Sequence, residues 1–314
     1  MKKSRTNKHK KNKRFTNKLQ CSPFAKKNKV VIGSCFTKNT LSQLRDSYNK
    51  RFPQESISSR LPFSQLWSTL HKKMQRISSC EQESCWIQEL STDDVEKRKL
   101  KALLFVPPQP SEWQKDPNAW LSNFDILKVI HQYETTYPYF YFMGPSMIDY
   151  DTISNKKDCV CNSLCRFSLK NEIDKKITKI GVIFNLDPHY KGGSHWTSLF
   201  IDIEDQFILY FNSTGEHIHP QINKFKDEVV TQGKALSLPF EFYENKMEHQ
   251  QSDTECGMYS LYFIITMLLR EKKTGKKMSK EEVIDYFRGK SQGRIKDQKM
   301  EELRNEYFSP NHSI

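Results

Sequence analysis

The sequence predicts an α+β fold, in which helices pack against one mixed β-sheet. Three observations support this. The stretch KIGVIFNLD (179–187) is a strongly apolar strand candidate. The stretch HWTSLFIDIEDQFILYFNSTG (195–215) alternates on both sides of a polar Glu-Asp pair, as an antiparallel hairpin does. After the hairpin come two helical segments, PQINKFKDEVVTQGKAL and the mostly apolar GMYSLYFIITMLLREKK, with the strand-like LPFEFYEN between them.

The positive charge of the chain is concentrated at its beginning. The net charge is +13, and residues 1–30 hold twelve Lys or Arg but no Asp or Glu. Such a segment has too little apolar surface to fold, so a disordered tail is predicted. Its charge fits binding to a nucleic-acid backbone or a nuclear import signal. A solubilising tail without a specific partner is the alternative, and the composition does not decide between them.

The rest of the chain divides into two domains at the proline-rich stretch PPQPSEWQKDPNAW. Residues 31–115 are predicted to form a helical arm domain. In it VVIGSCF is expected to be a short strand, and TLSQLRDSYNKRF a helix capped by Thr40. Residues 116–314 are predicted to form a second domain, which starts with the helix in WLSNFDILKVIHQYETTYP, capped near Ser122 or Asn123.

The cysteines and the hydropathy pattern bear on the compartment. No window approaches the roughly 18 apolar residues of a membrane span, and the N-terminus has no apolar stretch typical of a signal peptide. The eight cysteines are therefore predicted to be reduced thiols in a cytosolic or nuclear protein. Cys159, Cys161 and Cys165 have a spacing that could hold a metal, but zinc sites favour C-x2-C pairs, so free thiols and no metal site are predicted.

The hairpin brings two candidate site residues together. If its turn centres on Ile203 to Asp205, Asn212 lies within two positions of the residue opposite His195. Directly paired side chains on neighbouring strands are about 5 Å apart at their β carbons, so these two can touch. An amide oxygen that accepts from one imidazole nitrogen fixes the tautomer and leaves the other nitrogen for a nucleophile. By the same alternation, Asp202 is expected on the solvent face.

Cys256 is the candidate nucleophile. It starts an apolar helix after a polar loop, and a thiol at a helix N-terminus near an imidazolium is expected to have a lowered pKa. Gln250 in that loop could donate an amide N–H to an oxyanion, together with the backbone N–H of Cys256. Taken one at a time, a histidine such as His195 on a strand is more often structural, and a cysteine such as Cys256 before a helix is usually a small buried hydrophobe.

The order of these motifs resembles a known class of enzymes. GSHW at 193–196, YFNS at 210–213, the stretch from Gln250 to Gly257 and WLSN at 120–123 resemble the adenain-like cysteine proteases. This clan includes adenovirus protease and the SUMO-specific proteases. The stretch HQQSDTECG followed by YS is most similar to the polyprotein-processing proteases of African swine fever virus and related large DNA viruses.

The resemblance implies a papain-like or adenain-like core preceded by a helical arm domain. It implies a catalytic triad of His195, Asn212 and Cys256, with Gln250 and the Cys256 backbone forming the oxyanion hole. SUMO proteases have Asp where this chain has Asn212, so the amide gives less electrostatic support to an imidazolium. No cofactor and no metal are implied.

The resemblance also implies a function. Relatives cleave after Gly-Gly, and Trp196 and Trp120 would contact the substrate, with core packing as the equal alternative for both tryptophans. The chain is expected to be a viral cysteine endopeptidase that processes structural polyproteins during virion assembly, in the virion and the host cytoplasm, with a nuclear location possible through the tail at residues 1–30. The alternatives are a ubiquitin or SUMO-like deconjugating protease and a nucleic-acid-associated virion protein on an inactive protease fold.

Overall fold

The computed structural model describes residues 20–77, 82–90, 92–155, 158–272 and 274–310. Its α-helices are α1 Pro23–Asn28, α2 Lys38–Arg51, α3 Phe63–Ile77, α4 Glu83–Trp86, α5 Asp94–Leu104, α6 Asn123–Thr136, α7 Asn162–Cys165, α8 Leu169–Asp174, α9 Pro220–Ala235, α10 Cys256–Leu269, α11 Lys280–Phe287 and α12 Asp297–Tyr307. Its strands are β1 Phe140–Met147, β2 Ile153–Asn155, β3 Asp158–Cys159, β4 Lys179–Asn185, β5 Trp196–Asp202, β6 Phe207–Phe211 and β7 Glu241–Glu244. None of the helices in these ranges is both long and apolar enough to cross a bilayer.

A five-stranded mixed sheet in the order β1-β4-β5-β6-β7 forms the centre of the second domain. The central strands pair antiparallel, and β1 and β7 add to the two sides in parallel. Every residue of β4, β5 and β6 is buried because helices cover both faces. One face packs against α6, α10, α11 and α12, and the other against α9. The predicted α+β class is confirmed.

The arm is helical, as predicted, and has its own apolar core between Cys21 and Phe105. Two local predictions are wrong. Residues 30–36 form turns instead of a strand, because Gly33 has a φ of +87° that reverses the chain. Helix α2 is capped by Thr37, whose hydroxyl accepts from the backbone N–H of Thr40.

The predicted disordered tail over residues 1–30 is wrong from residue 20 onward. Helix α1 lies there, capped by Ser22, and Ala25 is fully buried. This happens because α1 packs against both α5 and α6, which supply the apolar surface that the segment itself lacks. Residues 1–19, with nine of the basic side chains, lie outside the described residues. The predicted limits of the arm and protease domains remain predictions.

The prediction of reduced thiols throughout is wrong. Cys21 is disulfide-bonded to Cys35, and Cys159 to Cys165. Both pairs are close in sequence and are brought together by local turns, which a count of cysteines does not reveal. Cys161 and Cys256 are free thiols. Cys85 is also disulfide-bonded, and Cys80 lies outside the described residues.

Asp202 is not on a solvent face. It is fully buried at the end of β5, where its carboxylate accepts from Lys179 Nζ at 2.6 Å and from the Arg270 guanidinium. The expected alternation of buried and exposed side chains fails at Asp202 because β5 is a central strand covered on both faces. Arg270, the residue after α10, also contacts Asp205 at 2.6 Å.

Candidate active site

The β5–β6 hairpin places His195 beside Asn212. The ladder pairs Ser198 with Phe211, so the residue before β5 and the residue after β6 lie at the same end of the sheet. His195 Nε2 and Asn212 Oδ1 are 2.8 Å apart. The contact expected from the hairpin geometry is therefore present in the structure.

The hydrogen bonds around Asn212 decide the tautomer of His195. Asn212 Oδ1 also accepts from the backbone N–H of Thr214 at 3.1 Å and from its hydroxyl at 2.8 Å. An amide oxygen can only accept, so His195 Nε2 must be the donor. The neutral ring then keeps a free lone pair on Nδ1, which is the state that a general base needs. Asn245 Nδ2 donates to the Asn212 carbonyl at 2.6 Å and holds this residue from its other side.

Cys256 is the first residue of α10 and is 1% exposed. Helix α10 packs against β5, and the backbone N–H groups of Trp196 and Gly257 point to the thiol. Burial raises the pKa of the Cys256 thiol, the nearby charge of Glu255 raises it further, and the backbone N–H groups oppose both. The expected lowered pKa is thus not found in the free structure, because desolvation outweighs the helix N-terminus.

The wall beneath Cys256 is closely packed. A β carbon on Gly257 would lie 3.1 Å from Leu121 Cβ and 3.4 Å from Trp196 Cδ1. Trp196 donates its indole N–H to the Leu121 carbonyl at 3.2 Å and is itself buried. Trp120, next to Leu121, is 46% exposed. Of the two tryptophans predicted to bind substrate, Trp196 therefore packs under Cys256, and Trp120 has a ring accessible to a bound chain.

The loop before α10 is tied to the residue that follows Asn212. The backbone N–H groups of His249 and Gln250 both donate to the Ser213 carbonyl, at 2.8 and 2.9 Å. The Ser213 hydroxyl donates to Gln250 Oε1 at 2.7 Å. Gln250 Nε2 donates one hydrogen to the Ser252 carbonyl. Its second hydrogen is the one that could reach an oxyanion.

The approach to His195 is also fixed. Asn185 Oδ1 accepts from the backbone N–H of Asp187 at 2.9 Å and of Ser194 at 3.3 Å, so one side chain holds both ends of the loop. Gly193 has a φ of +92°, and a β carbon there would lie 2.7 Å from Asn185 Nδ2. Larger residues at position 193 would therefore displace the loop that leads into His195.

Several residues of the site were not found from the sequence. Thr214, Asn245 and Asn185 hold the site residues by hydrogen bonds and belong to no motif, and Ser213 lies in the YFNS motif but had been given no role. His249 stands beside Gln250 in the motif, which was the available signal. It is fully buried, with Nδ1 accepting from Ile295 N at 2.9 Å and Nε2 close to the Phe287 carbonyl at 2.7 Å.

We expect Gln250→Ala to lower kcat about 10²- to 10³-fold with little change in KM, because an oxyanion donor acts mainly in the transition state. The measurement is steady-state cleavage of a peptide substrate. Gln251→Ala is the matched control, since the Gln251 side chain is exposed on the same loop. Equal losses in the two variants would exclude Gln250 from the oxyanion hole.

We expect the protein to lose stability below about pH 6.5 through His249. Burial lowers the pKa of His249, the charge of Arg294 lowers it further, and the hydrogen bond to Phe287 opposes both. At pH values above the pKa that His249 has in the unfolded chain, the histidine is neutral in both the folded and the unfolded state, and its contribution to stability is fully present. Below that pKa only the unfolded chain binds the proton, so the free energy of unfolding falls by about 1.4 kcal/mol per pH unit until the folded pKa is reached.

Urea unfolding of the wild type and His249→Gln at several pH values between 7.5 and 5 measures this effect. The variant should lose much of the acid dependence, and His131→Gln, which changes an exposed histidine, should keep it. An unchanged slope in His249→Gln would show that another group carries the acid sensitivity.

The donor set does not suggest a metal. Among the described residues, no three His, Cys, Asp or Glu side chains are grouped so that they could hold a metal ion. Cys159 and Cys165 are joined to each other instead.

The mixed sheet, the oriented His195–Asn212 pair and the buried thiol at the start of α10 define a cysteine protease by fold and site. Residues 148–312 match the Ulp1 protease family, C-terminal catalytic domain, and the chain belongs to this family. Residues 35–228 also match the family described as Vaccinia virus I7 processing peptidase.

Viral proteases are among the most similar relatives. A thiol protease of Acanthamoeba polyphaga mimivirus is 33% identical over 165 residues, which are 51% of this chain and 52% of that protein. The cysteine protease of African swine fever virus is 26% identical over 234 residues, 67% of this chain and 81% of that protein. The crystal structure of the African swine fever virus protease has the same fold, with a TM-score of 0.57 and 20% identity, covering 93% of this chain and 96% of that one. This chain therefore spans about half of the mimivirus relative.

Proposed function

We propose that this protein is a viral cysteine endopeptidase that cleaves structural polyproteins after Gly-Gly-type sites during virion assembly, with a Cys256-His195-Asn212 triad. The observation that carries the proposal is the hydrogen-bond pattern at Asn212 Oδ1, which leaves His195 Nδ1 as a base. The viral origin of the relatives supports a role in virion assembly.

The mechanism is acyl transfer. His195 Nδ1 takes the proton of the Cys256 thiol, and the sulfur attacks the peptide carbonyl carbon. Because burial raises the pKa of this thiol, the proton moves as the attack begins and not before substrate arrives. Gln250 Nε2 and the Cys256 backbone N–H hold the oxyanion. The imidazolium then protonates the leaving amine, and a water that His195 deprotonates hydrolyses the thioester.

A Gly-Gly sequence fits the wall described above. A β carbon at Gly257 would lie only 3.1 Å from Leu121 Cβ, so the wall under Cys256 is closely packed. The exposed ring of Trp120 lies on the same segment and can cover an extended chain. Glycine residues in the substrate would let its backbone pass such a surface without a side-chain clash.

Cleavage of paired peptides tests the proposal. The wild type should cut Gly-Gly-X peptides from viral structural polyproteins and leave the Ala-Ala-X versions intact, and Cys256→Ala should cut neither. Activity on both series would reject the Gly-Gly preference. Absence of activity and of Cys256 alkylation, in folded protein, would favour a nucleic-acid-associated virion protein on an inactive protease fold.

A deconjugating protease is the second candidate. Membership of the Ulp1 protease family favours it, and in three virus isolates the African swine fever virus relative is described as a SUMO-1 cysteine protease. Folded SUMO or ubiquitin precursors and unfolded Gly-Gly peptides of the same tail sequence separate the two functions. A preference for the folded precursors would support deconjugation.

We propose that the basic N-terminus contacts nucleic acid. We also propose that the protein lies in the virion and at assembly sites in the host cytoplasm. Nuclear import through the basic segment is the alternative. The twelve basic side chains of residues 1–30 support this. Removal of residues 1–19 should weaken DNA binding and flatten its dependence on salt. Equal binding by the shortened chain would place the contact elsewhere.

A further inference from the structure

A buried arginine lies behind the nucleophile. Arg304 on α12 is 5% exposed, and its Nη2 and Nε donate to Glu255 Oε1 and Oε2 at 2.8 and 3.0 Å. Glu255 is 2% exposed and directly precedes Cys256. Because two parallel hydrogen bonds fix both the orientation and the distance of the Glu255 carboxylate relative to the Arg304 guanidinium, the pair holds the start of α10 in place.

The same guanidinium holds a second segment. Nη1 donates to the carbonyls of Pro117 and Ala119 at 3.2 and 3.1 Å, and the group lies 4.3 Å from the ring centre of Trp113. This segment continues into Trp120 and Leu121, and Leu121 forms the wall against Gly257. One side chain from the C-terminal helix thus joins the two elements that border the nucleophile.

We propose that Arg304 is a positioning residue for the reaction: it aligns Cys256 with the Trp120–Leu121 wall and neutralises the carboxylate of Glu255 beside the thiol. The part that concerns substrate rests on the proposed protease function. The part that concerns the thiol does not, because it can be measured without substrate.

The charges around Cys256 make the neutralisation of Glu255 by Arg304 testable. Glu255 precedes it, His195 lies next to Trp196 on the β5 side, and Arg304 faces Glu255 from α12; the Leu121 segment contributes backbone and apolar groups. The charge of Glu255 raises the pKa of the Cys256 thiol. Loss of Arg304 would leave that charge without its partner and oppose the thiolate more strongly.

The structure offers a matched control. Helix α10 ends at another arginine–carboxylate contact, between the partly buried Arg270 and the fully buried Asp202. The two contacts are separated by the fourteen residues of the helix, about 21 Å along its axis. Arg270→Met therefore removes a comparable arginine–carboxylate contact from the same helix but leaves the surroundings of Cys256 unchanged.

The first experiment compares kcat and KM of Arg304→Met, Arg304→Lys and Arg270→Met under conditions where circular dichroism shows all three to be folded. Arg304→Met should lower kcat about 10- to 100-fold, the loss expected from a misplaced reacting group, and raise KM. Arg304→Lys should recover part of kcat but keep the raised KM, because one ammonium cannot reach both segments. Equal effects of Arg304→Met and Arg270→Met would overturn the proposal.

The second experiment follows alkylation of Cys256 by iodoacetamide against pH, with the free thiol of Cys161 as internal reference. Arg304→Met should move the midpoint upward by about one pH unit, and the double variant Arg304→Met/Glu255→Gln should move it back. Arg304→Lys, which keeps the charge, should stay near the wild type. An unchanged midpoint in Arg304→Met would overturn the electrostatic role. If these shifts are found but no peptide is cleaved, the electrostatic role of Arg304 stands and the proposed protease function fails.

Discussion

Replacement of His195 by alanine is expected to lower kcat about 10⁴-fold or more, because in the proposed mechanism the histidine serves as the base for the thiol, the acid for the leaving amine and the base for water. Because burial raises the pKa of the Cys256 thiol, a base for its proton is needed. Single-turnover cleavage with excess enzyme measures the chemical step. A loss below about tenfold would show that another group accepts the proton.

Asn212 variants separate orientation from charge. Asn212→Ala removes the acceptor and should cost kcat about 10²- to 10⁴-fold, because the ring loses its fixed tautomer. Asn212→Asp offers oxygens to the same donors, His195 Nε2 and the two groups of Thr214, so activity should persist. Its negative charge also stabilises the imidazolium, so the acid limb of the pH–rate profile should move upward. Loss of activity in Asn212→Asp equal to that in Asn212→Ala would contradict the orientation role.

The His195–Asn212 pair could be predicted because a hairpin relates residues by simple counting. Once the turn was placed near Ile203 to Asp205, the strand register followed within two positions, and the observed ladder falls in that range. The α+β class followed from local apolar patterns in the same way. Cys256 was found because a helix start after a polar loop is a local feature of the sequence.

The contacts that were missed join residues far apart in the chain. Glu255 and Arg304 are 49 residues apart, and nothing near either residue indicates the other. The pKa of Cys256 depends on how much protein covers the thiol, which the position at a helix N-terminus does not tell. Asp202 was assigned to solvent because alternation assumes one open face, and only the complete sheet shows that β5 has none.

Asp202→Ala is expected to lower the free energy of unfolding by about 3–5 kcal/mol, because it removes the fully buried carboxylate that the buried Lys179 and the partly buried Arg270 share. Lys179 and Arg270 both lose their contact with Asp202, although Lys179 keeps an ion pair with Glu204 at 3.3 Å and Arg270 one with Asp205. Urea unfolding at pH 7 measures the loss. Asp205→Ala is the control, since its partly exposed carboxylate contacts the same arginine and should cost much less.

A compensated variant shows whether the cost arises from the missing bond or from the stranded charges. Replacing Asp202 by Leu together with Lys179→Met and Arg270→Met removes all three charges and keeps similar volume. Burying two charges against one carries a desolvation penalty that the ion pairs only partly offset, so this triple variant should recover most of the stability lost in Asp202→Ala. If it were as unstable as Asp202→Ala, the network itself would stabilise the fold by more than well-packed apolar side chains can.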